Sequence, residues 1–501
     1  MILVLNLGLK SLRVVVFDRV GKRVFVASRE VETFLNGEKV EQDPEEWWRV
    51  AVVLFREAMA VDGIGRGLSA VTVTTSACNL VCEDERGGVL GRAMLVADKR
   101  AAGEAEELGR GERWVGRMDA SMTAPRLRWL QENEPERWRA ARRFLTSNGW
   151  LMGRLTGRAV TDPLDAAKAG YDVDAGEYPE GLLESLGLGV DRLTPVVPML
   201  TVAGTVQASV AEAVGMDGRE VPVVVTGYDA VCGVFGTGGG MEGVVCDVSG
   251  TVTSLRVAVA SVGAVDGGIQ RQWEGATGRY LVGGSNNLGG GLVEWLRQGF
   301  YGVETDAYGM MEREAVAAGP AAGGLVFLPY LMGERAPLWD DEVRGVFFGL
   351  ERRHGRREMA RAVMEGCALA TAALFDPLQA AVGSVERIRL SGGLTRIPLV
   401  TQLKADVLGM AVEVNEEFES TALGAAILSW IALGVLGSAE EAAGLIRVRE
   451  TVWPREHLAG VYRELMALQQ ELYASCRPLF ARRRDLMARL PAESATVVSN
   501  L

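Results

Sequence analysis

One stretch of the chain combines a carboxylate with a glycine turn and two hydroxyl residues. Residues 222–226 (PVVVT) form a β-branched run typical of a buried strand, and Asp229 follows it. Open α/β sheets place reactive groups at the C-terminal ends of their strands, where we expect Asp229. A second apolar run, 244–248, leads into 249–251 (SGT), which offers N–H groups and two hydroxyls to an anion. The local pattern alone also allows a simpler interpretation, in which Asp229 caps a helix and the glycines only form turns.

Two further glycine sites carry small or polar neighbours. Residues 6–11 (NLGLKS) form a predicted turn between strands at 2–6 and 12–18, and Gly392-Gly393 follow a predicted strand at 388–391. Three such sites and a nearby acid fit a protein that binds a polyphosphate. Phosphoryl transfer requires donors on the phosphates, a metal held by a carboxylate and a base for the attacking hydroxyl. Neither a Walker P-loop nor a Rossmann fingerprint is present in the sequence.

Length and composition restrict the class of protein. A chain of 501 residues is too long for one core, and 48% hydrophobic with 24% charged residues is typical of soluble proteins. The net charge of −12 argues against nucleic acid as the main partner. No apolar run approaches the ~20 residues that cross a bilayer, and the chain starts in a strand without a basic flank. We therefore expect no membrane contact and a cytoplasmic location. The six scattered cysteines are expected to be reduced core residues, without a zinc site.

The elements that position these residues alternate between strands and helices. An amphipathic helix is predicted at 43–61, and a strand at 68–74 runs into small polar residues suited to a ligand site. Residues 101–156 are predicted to be helical, and the tail from 477 onward is expected to fray. A helix of small residues from 422 onward allows a neighbouring element to approach closely. Further helices are predicted at 182–186, 208–214, 357–375 and 398–408, and further strands at 278–282 and 324–328.

Several motifs together resemble the FGGY-type carbohydrate kinases of the sugar kinase/hsp70/actin superfamily. The most specific are 333–350 (GERAPLWDDEVRGVFFGL), 390–412 (LSGGLTRIPLVTQLKADVLGMAV) and 420–428 (STALGAAIL). The segment 155–162 (LTGRAVTD) supports them, and the likeness extends from residue 1 to about residue 440. The nearest branch stays open between xylulokinase-like, gluconokinase-like and autoinducer-2-kinase-like proteins.

The resemblance implies an α/β fold of two ribonuclease-H-like, actin-like ATPase domains with a cleft between them. Residues 1–255 would form the N-terminal, sugar-binding domain, and residues 256–501 the C-terminal, nucleotide-binding domain. It also implies that Asp229 is the catalytic base, which takes the proton of the sugar hydroxyl that attacks the γ-phosphate of ATP.

The resemblance also assigns the remaining site residues. The residues implied for ATP are Gly8, Ser11, Gly250, Thr251, Gly290, Gly392 and Gly393, and Lys10 is added to them from its charge and its place in the first loop. The residues implied for the substrate are Ser76, Cys78, Asn79, Asp98 and Arg100, together with Asp229. Lys10 has two interpretations, one as a charge that faces the phosphates and one, which we favour, as a solvated side chain.

The first phosphate loop departs from the family pattern at two positions. Asn6 stands where the family has an aspartate that helps to place Mg²⁺, and Leu9 replaces a threonine that touches phosphate. A neutral amide is a poorer ligand for a hard cation than a carboxylate. We therefore expect Asn6 to hold the metal weakly, through a water molecule. On the sugar side, Val96 replaces the usual aromatic residue.

Two functions follow from these observations. The first is a kinase that uses ATP and Mg²⁺ to phosphorylate a small sugar, polyol or sugar acid, and Asp229 favours it. The second is a catalytically weak relative that binds sugar or nucleotide as a sensor or scaffold, and Asn6 and Leu9 favour it. We prefer the kinase because phosphoryl transfer depends mostly on positioning and electrostatics. A chaperone-like ATPase is disfavoured, since no separate peptide-binding domain follows. A homodimer fits these expectations, although the residues leave the oligomeric state open.

Overall fold

The computed structural model describes residues 1–109, 118–487 and 489, and the chain forms two compact units. Unit 1 is made of Met1–Gly240, Gln272–Arg279 and Ser420–Ile446. Unit 2 is made of Met241–Arg271, Tyr280–Glu419 and the chain from Arg447 onward. Each unit is therefore assembled from segments that are distant in the sequence.

The strands, in chain order, are β1 (Ile2–Leu7), β2 (Ser11–Phe17), β3 (Arg23–Glu30), β4 (Thr33–Asn36), β5 (Lys39–Gln42), β6 (Ala70–Thr75), β7 (Leu80–Glu83), β8 (Ala93–Met94), β9 (Arg143–Thr146), β10 (Val202–Thr205), β11 (Pro222–Val225), β12 (Val244–Ser249), β13 (Thr253–Val259), β14 (Gln270–Trp273), β15 (Tyr280–Ser285), β16 (Val326–Leu328), β17 (Val346–Phe348), β18 (Arg387–Ser391), β19 (Val412–Asn415) and β20 (Val448–Val452).

The helices are α1 (Pro44–Met59), α2 (Ile64–Gly67), α3 (Ala102–Gly109), α4 (Thr123–Asn133), α5 (Pro135–Ala140), α6 (Ser147–Thr156), α7 (Pro163–Ala166), α8 (Glu180–Leu186), α9 (Ala208–Val214), α10 (Asp229–Thr237), α11 (Gly290–Tyr301), α12 (Ala307–Ala318), α13 (Arg356–Val382), α14 (Pro398–Leu408), α15 (Ser420–Ala432), α16 (Ala439–Ala443) and α17 (Ala459–Met487).

The main sheet of unit 1 has the strand order β10-β11-β6-β1-β2-β3. Strand β1 is parallel to β6, and β6 is parallel to β11, so their C-terminal ends meet at one edge. Strand β2 returns from β1 as an antiparallel hairpin. All six residues of β1 are buried, because the strand is central and covered on both faces. A second sheet has the order β4-β5-β8-β7-β9.

Helices α10 and α15 pack against each other in unit 1 through glycines. A Cβ atom on Gly424 would lie 1.7 Å from the carbonyl oxygen of Cys232, and one on Gly236 would lie 1.8 Å from that of Ser420. Only glycine permits this approach of two backbones. The prediction that small residues from 422 onward allow a close neighbour is confirmed.

The main sheet of unit 2 has the order β14-β15-β13-β12-β18-β19-β20. Strand β12 is parallel to β18, with Val248 opposite Ser391, and β18 is parallel to β19. The C-terminal ends of β12 and β18 are therefore neighbours. Helix α13 contributes Leu374, Phe375 and Leu378 to the apolar core against this sheet.

Most predicted elements are present, and two predictions are wrong. Helices α9 and α14 have the predicted bounds, and α1 begins after Asp43, whose side chain accepts a hydrogen bond from Glu45 N. The continuous helix predicted over 101–156 is interrupted by β9, which pairs with β7, so a tertiary contact overrides local helical propensity. Its residues 110–117 lie outside the described residues.

The second wrong prediction concerns the C-terminal tail. Helix α17 continues to Met487 instead of fraying from residue 477, and Leu472 and Phe480 on it are buried in a core cluster of unit 2. Residues 490–501 of the predicted tail lie outside the described part of the chain. No helix in the described part is long and apolar enough to cross a membrane.

Candidate active site

The turn between β1 and β2 carries the first predicted phosphate loop. Gly8 N donates to Ser11 O over 2.9 Å and closes the turn, while the Lys10 side chain is exposed. Asn6 precedes the turn and is 5% exposed. It lies directly opposite Arg13 on β2. The sequence pattern does not predict a role for Arg13, which the strand register brings beside the amide.

Ser76 connects the end of β1 to Asp229. Its backbone N donates to Leu7 O over 3.1 Å, and its hydroxyl donates to Asp229 Oδ2 over 3.2 Å. Asp229 is half-buried and is the first residue of α10, whose N-cap is Tyr228. Its Oδ1 accepts a hydrogen bond from Ala230 N over 2.7 Å. The N-terminus of a helix stabilises negative charge, so the carboxylate lies in a favourable place for a base.

Cys78 and Asn79 continue the same edge but have mostly structural partners. The Asn79 amide donates to Ser76 O over 3.1 Å, and its oxygen accepts from Val96 N over 3.1 Å. Cys78 is buried with φ at 66°, and burial raises the pKa of its thiol to about 11. A thiol at such a pKa stays protonated, which makes Cys78 a packing residue rather than a nucleophile.

Arg126 on α4 holds together the two segments predicted to bind substrate. Its guanidinium is fully buried and donates to Cys78 O over 2.5 Å and to Asp98 O over 3.1 Å. A fully buried arginine is rare unless it is paired in this way. The sequence offers one signal, an arginine within an otherwise apolar helix face, but that pattern does not distinguish it from a solvated arginine.

Asp98 and Arg100 form a buried ion pair. Asp98 has no exposed surface and accepts from Val40 N over 2.8 Å, while Arg100 Nη2 lies 2.6 Å from Asp98 Oδ2 and 2.6 Å from Glu41 Oε1. Both side chains are therefore held by other groups of the protein. Their roles as substrate contacts stay predictions, and the geometry favours a role in holding the segment in place.

A pair of carboxylates, Asp162 and Asp165, lies buried in unit 1. Asp162 caps α7 by accepting from Leu164 N over 2.9 Å, and Asp165 accepts from Thr161 Oγ1 over 3.2 Å. Burial, together with the neighbouring charge of Asp165, raises the pKa of Asp162 to about 7. Burial also raises the pKa of Asp165 to about 6. Burial therefore favours the protonated form of both groups relative to an exposed aspartic acid.

The second predicted phosphate loop lies in unit 2, between β12 and β13. Gly250 and Thr251 are exposed, and three backbone hydrogen bonds fix the loop to the start of α11. Gly290 N donates to Gly250 O over 2.9 Å, while Gly289 N and Gly291 N donate to Thr251 O over 2.8 and 3.0 Å. A Cβ on Gly290 would lie 2.5 Å from Gly250 O, so only glycine fits there. Three residues predicted to bind the nucleotide therefore lie together in unit 2: Gly250 and Thr251 are consecutive, and Gly290 is hydrogen-bonded to Gly250.

Gly392 brings the predicted adenosine motif to the same loop. It follows β18 with φ at +94°, and a Cβ on it would lie 2.5 Å from Ser249 O. Gly393 is exposed beside it. The glycine motifs at 250, 290 and 392 therefore gather at the C-terminal ends of two parallel strands, which is where open sheets bind ligands. Among the described residues, no group of three or more His, Cys, Asp or Glu side chains is placed to hold a metal ion.

The comparisons with known proteins agree with this fold. Residues 1–236 match the N-terminal domain, and residues 247–433 the C-terminal domain, of the FGGY family of carbohydrate kinases. The glycerol kinase of Polaromonas naphthalenivorans is 30% identical over 495 residues, covering 93% of this chain and 97% of that protein.

Two solved structures share the fold. The gluconate kinase of Lactobacillus acidophilus superposes with a TM-score of 0.86 at 23% identity, covering 96% of this chain and 99% of that one. A xylulose kinase from the same organism gives 0.85 at 23% identity, covering 96% and 100%. The protein therefore has the two-domain α/β architecture of the actin-like ATPases.

The family models extend over most of the chain, and the glycerol kinase covers it nearly end to end. The chain belongs to the FGGY family of carbohydrate kinases. It is an enzyme of the phosphotransferase class with an alcohol group as acceptor.

Proposed function

We propose that the protein transfers the γ-phosphate of ATP to a hydroxyl of a small sugar, polyol or sugar acid, with Asp229 as the base. The observation that carries this proposal is the Asp229 carboxylate at the N-terminus of α10, oriented by Ser76 at the end of a neighbouring parallel strand. A carboxylate held in one orientation is suited to accept the proton of an attacking hydroxyl.

Each oxygen of the Asp229 carboxylate accepts a hydrogen bond from a different residue. Its Oδ1 accepts from Ala230 N and its Oδ2 from Ser76 Oγ. The substrate hydroxyl would donate to one of the two carboxylate oxygens, and the proton would pass to that oxygen as the phosphate is transferred. In this proposal Ser76, Cys78 and Asn79 line the substrate site beside Asp229. Asp98 and Arg100 hold the neighbouring segment in place.

The nucleotide contacts are proposed on the glycine motifs. Thr251 and the turn at Gly250 would bind phosphate oxygens, and Gly290, whose N–H is donated to Gly250 O, would hold that loop beside the nucleotide. Gly392 and Gly393 would accommodate the adenosine, and Gly8, Lys10 and Ser11 are proposed as phosphate contacts of unit 1. Sugar binding is proposed mainly for residues 1–255 and nucleotide binding mainly for residues 256–501. The five phosphate contacts proposed at residues 8, 10, 11, 250 and 251 belong to the first segment.

The residues present fit Mg²⁺, whose preferred ligands are oxygens and water. The Asn6 amide oxygen, near the end of β1, is the candidate to hold it. When bound, the ion would neutralise charge on the phosphates. Because Asn6 is neutral, its contact with the ion would be weak and would run through water.

The substrate is proposed only as a class. The relatives are named for glycerol, gluconate and xylulose, which share hydroxyl groups on a short carbon chain. The alternative of a catalytically weak sensor or scaffold finds no support among these named relatives. A cytoplasmic location and a homodimer complete the proposal.

A screen of ADP release tests the proposed function. The purified protein is incubated with ATP, Mg²⁺ and single acceptors drawn from polyols, ketoses and aldonic acids, and a matched reaction without acceptor measures wasteful hydrolysis. We expect ADP release that depends on one acceptor class, with one phosphate ester formed per ADP. Nucleotide binding without turnover on any acceptor would contradict the kinase and support the sensor or scaffold.

A further inference from the structure

A buried lysine–aspartate pair lies under the second phosphate loop in unit 2. Lys404 on α14 is 1% exposed and forms an ion pair with Asp247 on β12, which has no exposed surface. Removing two charges from water costs several kcal/mol for each ion, so such a pair persists only where its geometry is good. In the sequence, Lys404 lies within a predicted helix, and nothing in that pattern indicates that its charge is buried.

The pair is completed by the Ser249 hydroxyl. Lys404 Nζ donates to Ser249 Oγ over 2.7 Å, and Ser249 Oγ donates to Asp247 Oδ1 over 2.5 Å. Thr253 Oγ1 lies 3.0 Å from the same hydroxyl, at the start of β13. Because Ser249 has one hydrogen and gives it to Asp247, its hydroxyl is not available as a donor to phosphate. The expectation that both hydroxyls of residues 249–251 serve an anion is therefore corrected, and Thr251 alone remains.

The same residues connect two nucleotide motifs. Ser249 ends β12 and directly precedes Gly250, while its carbonyl oxygen is the atom that leaves no room for a side chain at Gly392. Lys404 is on α14, the helix that follows the Gly392-Gly393 motif. One ammonium group thus ties the helix after the adenosine motif to the strand that carries the phosphate loop.

We propose that Lys404 is a positioning residue that fixes the spacing between the phosphate loop and the adenosine motif through Ser249 and Asp247. This inference rests on the proposed function of these motifs in nucleotide binding. Lys404 does not touch the nucleotide. It acts by holding the end of β12, so its loss should weaken nucleotide binding and leave acceptor binding unchanged.

The test compares Lys404→Met, which keeps the side-chain length, with Ser249→Ala, which keeps the ion pair and removes only the hydroxyl. The dissociation constant for ADP is measured by calorimetry, and KM is measured separately for ATP and for the acceptor. We expect the ADP dissociation constant and the ATP KM to rise about tenfold in Lys404→Met and severalfold in Ser249→Ala. The acceptor KM should stay within twofold of wild type in both.

Arg361→Met is the matched control, because Arg361 and Glu365 form another ion pair in unit 2 that is 2% exposed on each side, with Nε and Oε1 2.7 Å apart. Its loss should lower the melting temperature and leave the ADP dissociation constant unchanged. A double variant, Lys404→Met with Asp247→Leu, should regain stability because no buried charge is left unpaired, yet keep the weak ADP binding.

Three results would overturn the inference while leaving the kinase intact. They are wild-type ADP affinity in Lys404→Met and Ser249→Ala, full recovery of ADP affinity in the double variant, or an equal loss of affinity in Arg361→Met. A wild-type protein that binds nucleotide but never transfers phosphate would instead contradict the proposed function alone.

Discussion

Ser76 Oγ donates a hydrogen bond to Asp229 Oδ2 over 3.2 Å, although the two residues are 153 positions apart in the sequence. The contact exists because β6 and β11 are parallel neighbours, which brings the residues after their C-terminal ends to the same edge. Ser76 N also binds Leu7 O, so the same residue ties the carboxylate to the strand that precedes the first loop. The base therefore depends on three strands for its orientation.

Ser76→Ala tests that orientation. Without this bond the carboxylate can leave the orientation in which it takes the proton, so we expect kcat to fall about tenfold or more. Ser28→Ala, the same substitution at an exposed position of β3, is the control and should leave kcat unchanged. Steady-state kinetics at saturating ATP measure both. A variant with wild-type kcat would show that Asp229 does not need this contact.

Asn6→Asp tests the weak metal contact. A carboxylate is a stronger ligand for Mg²⁺ than an amide, so we expect a severalfold lower Mg²⁺ concentration at half-maximal activity. Asn6→Ala should move that concentration in the opposite direction. Arg13, opposite residue 6, would also attract the new carboxylate, and a mutation that only builds this ion pair would leave the Mg²⁺ titration unchanged. An unmoved half-saturation point in an active enzyme would place Asn6 away from the metal.

Asp162→Asn tests the buried carboxylate pair through the pH dependence of stability. The pKa of Asp162 is raised to about 7 by burial, so between about pH 4 and pH 7 the folded state holds a proton that the unfolded state has lost. The pair's contribution to stability is therefore present at low pH and is lost as the pH rises through about 7. The asparagine introduced by this substitution can still cap α7, because an amide oxygen also accepts from Leu164 N.

We expect Asp162→Asn to raise the melting temperature more at pH 8 than at pH 5. The difference between the two pH values corresponds to a free energy of unfolding on the order of 1–3 kcal/mol. Thermal unfolding of both proteins at the two pH values measures it. An equal shift of the melting temperature at pH 5 and pH 8 would contradict the raised pKa, because it would show that the substitution acts without a titrating group.

Gly424→Ala tests the contact between α10 and α15. The new Cβ would lie 1.7 Å from Cys232 O, so the helices must separate, and we expect a loss of ~1–3 kcal/mol or failure to fold. Gly299→Ala, within α11 where nothing lies within 4 Å of the added Cβ, should be neutral or stabilise by ~0.5–1 kcal/mol. Denaturant unfolding measures the free energy of unfolding of both variants. Equal stability of the two variants would mean that the helices tolerate separation.

The sequence predicts the place of Asp229 but not its contact with Ser76. A β-branched run followed by glycine and an acid indicates a strand end, and that pattern is local. Which strands are neighbours depends on packing between segments far apart in the sequence, which no local pattern contains. Strand β9 could not be predicted for the same reason, because it forms by pairing with β7 although its neighbours in the sequence are helical.

Buried charges are the other part of the site that the sequence does not predict. Arg126 and Lys404 both lie on helices with charged neighbours, where a solvated side chain is the ordinary expectation. Their burial becomes visible only when their partners are known, and those partners are carbonyl oxygens or residues from distant strands. Asp98 shows the converse, because it is a predicted ligand contact whose carboxylate is fully engaged inside the protein.

The most direct test of the central claim is the rate of phosphoryl transfer in Asp229→Asn. The asparagine keeps the size of the side chain, its amide oxygen can still accept from Ala230 N and its NH2 group can donate to Ser76 Oγ, but it cannot take the proton of the acceptor. General-base catalysis contributes about 100- to 10,000-fold, so kcat should fall within that range while ADP affinity and melting temperature stay near wild type. Near-wild-type turnover in this variant, measured as phosphate ester formed in a single turnover, would contradict the assignment of Asp229 as the base.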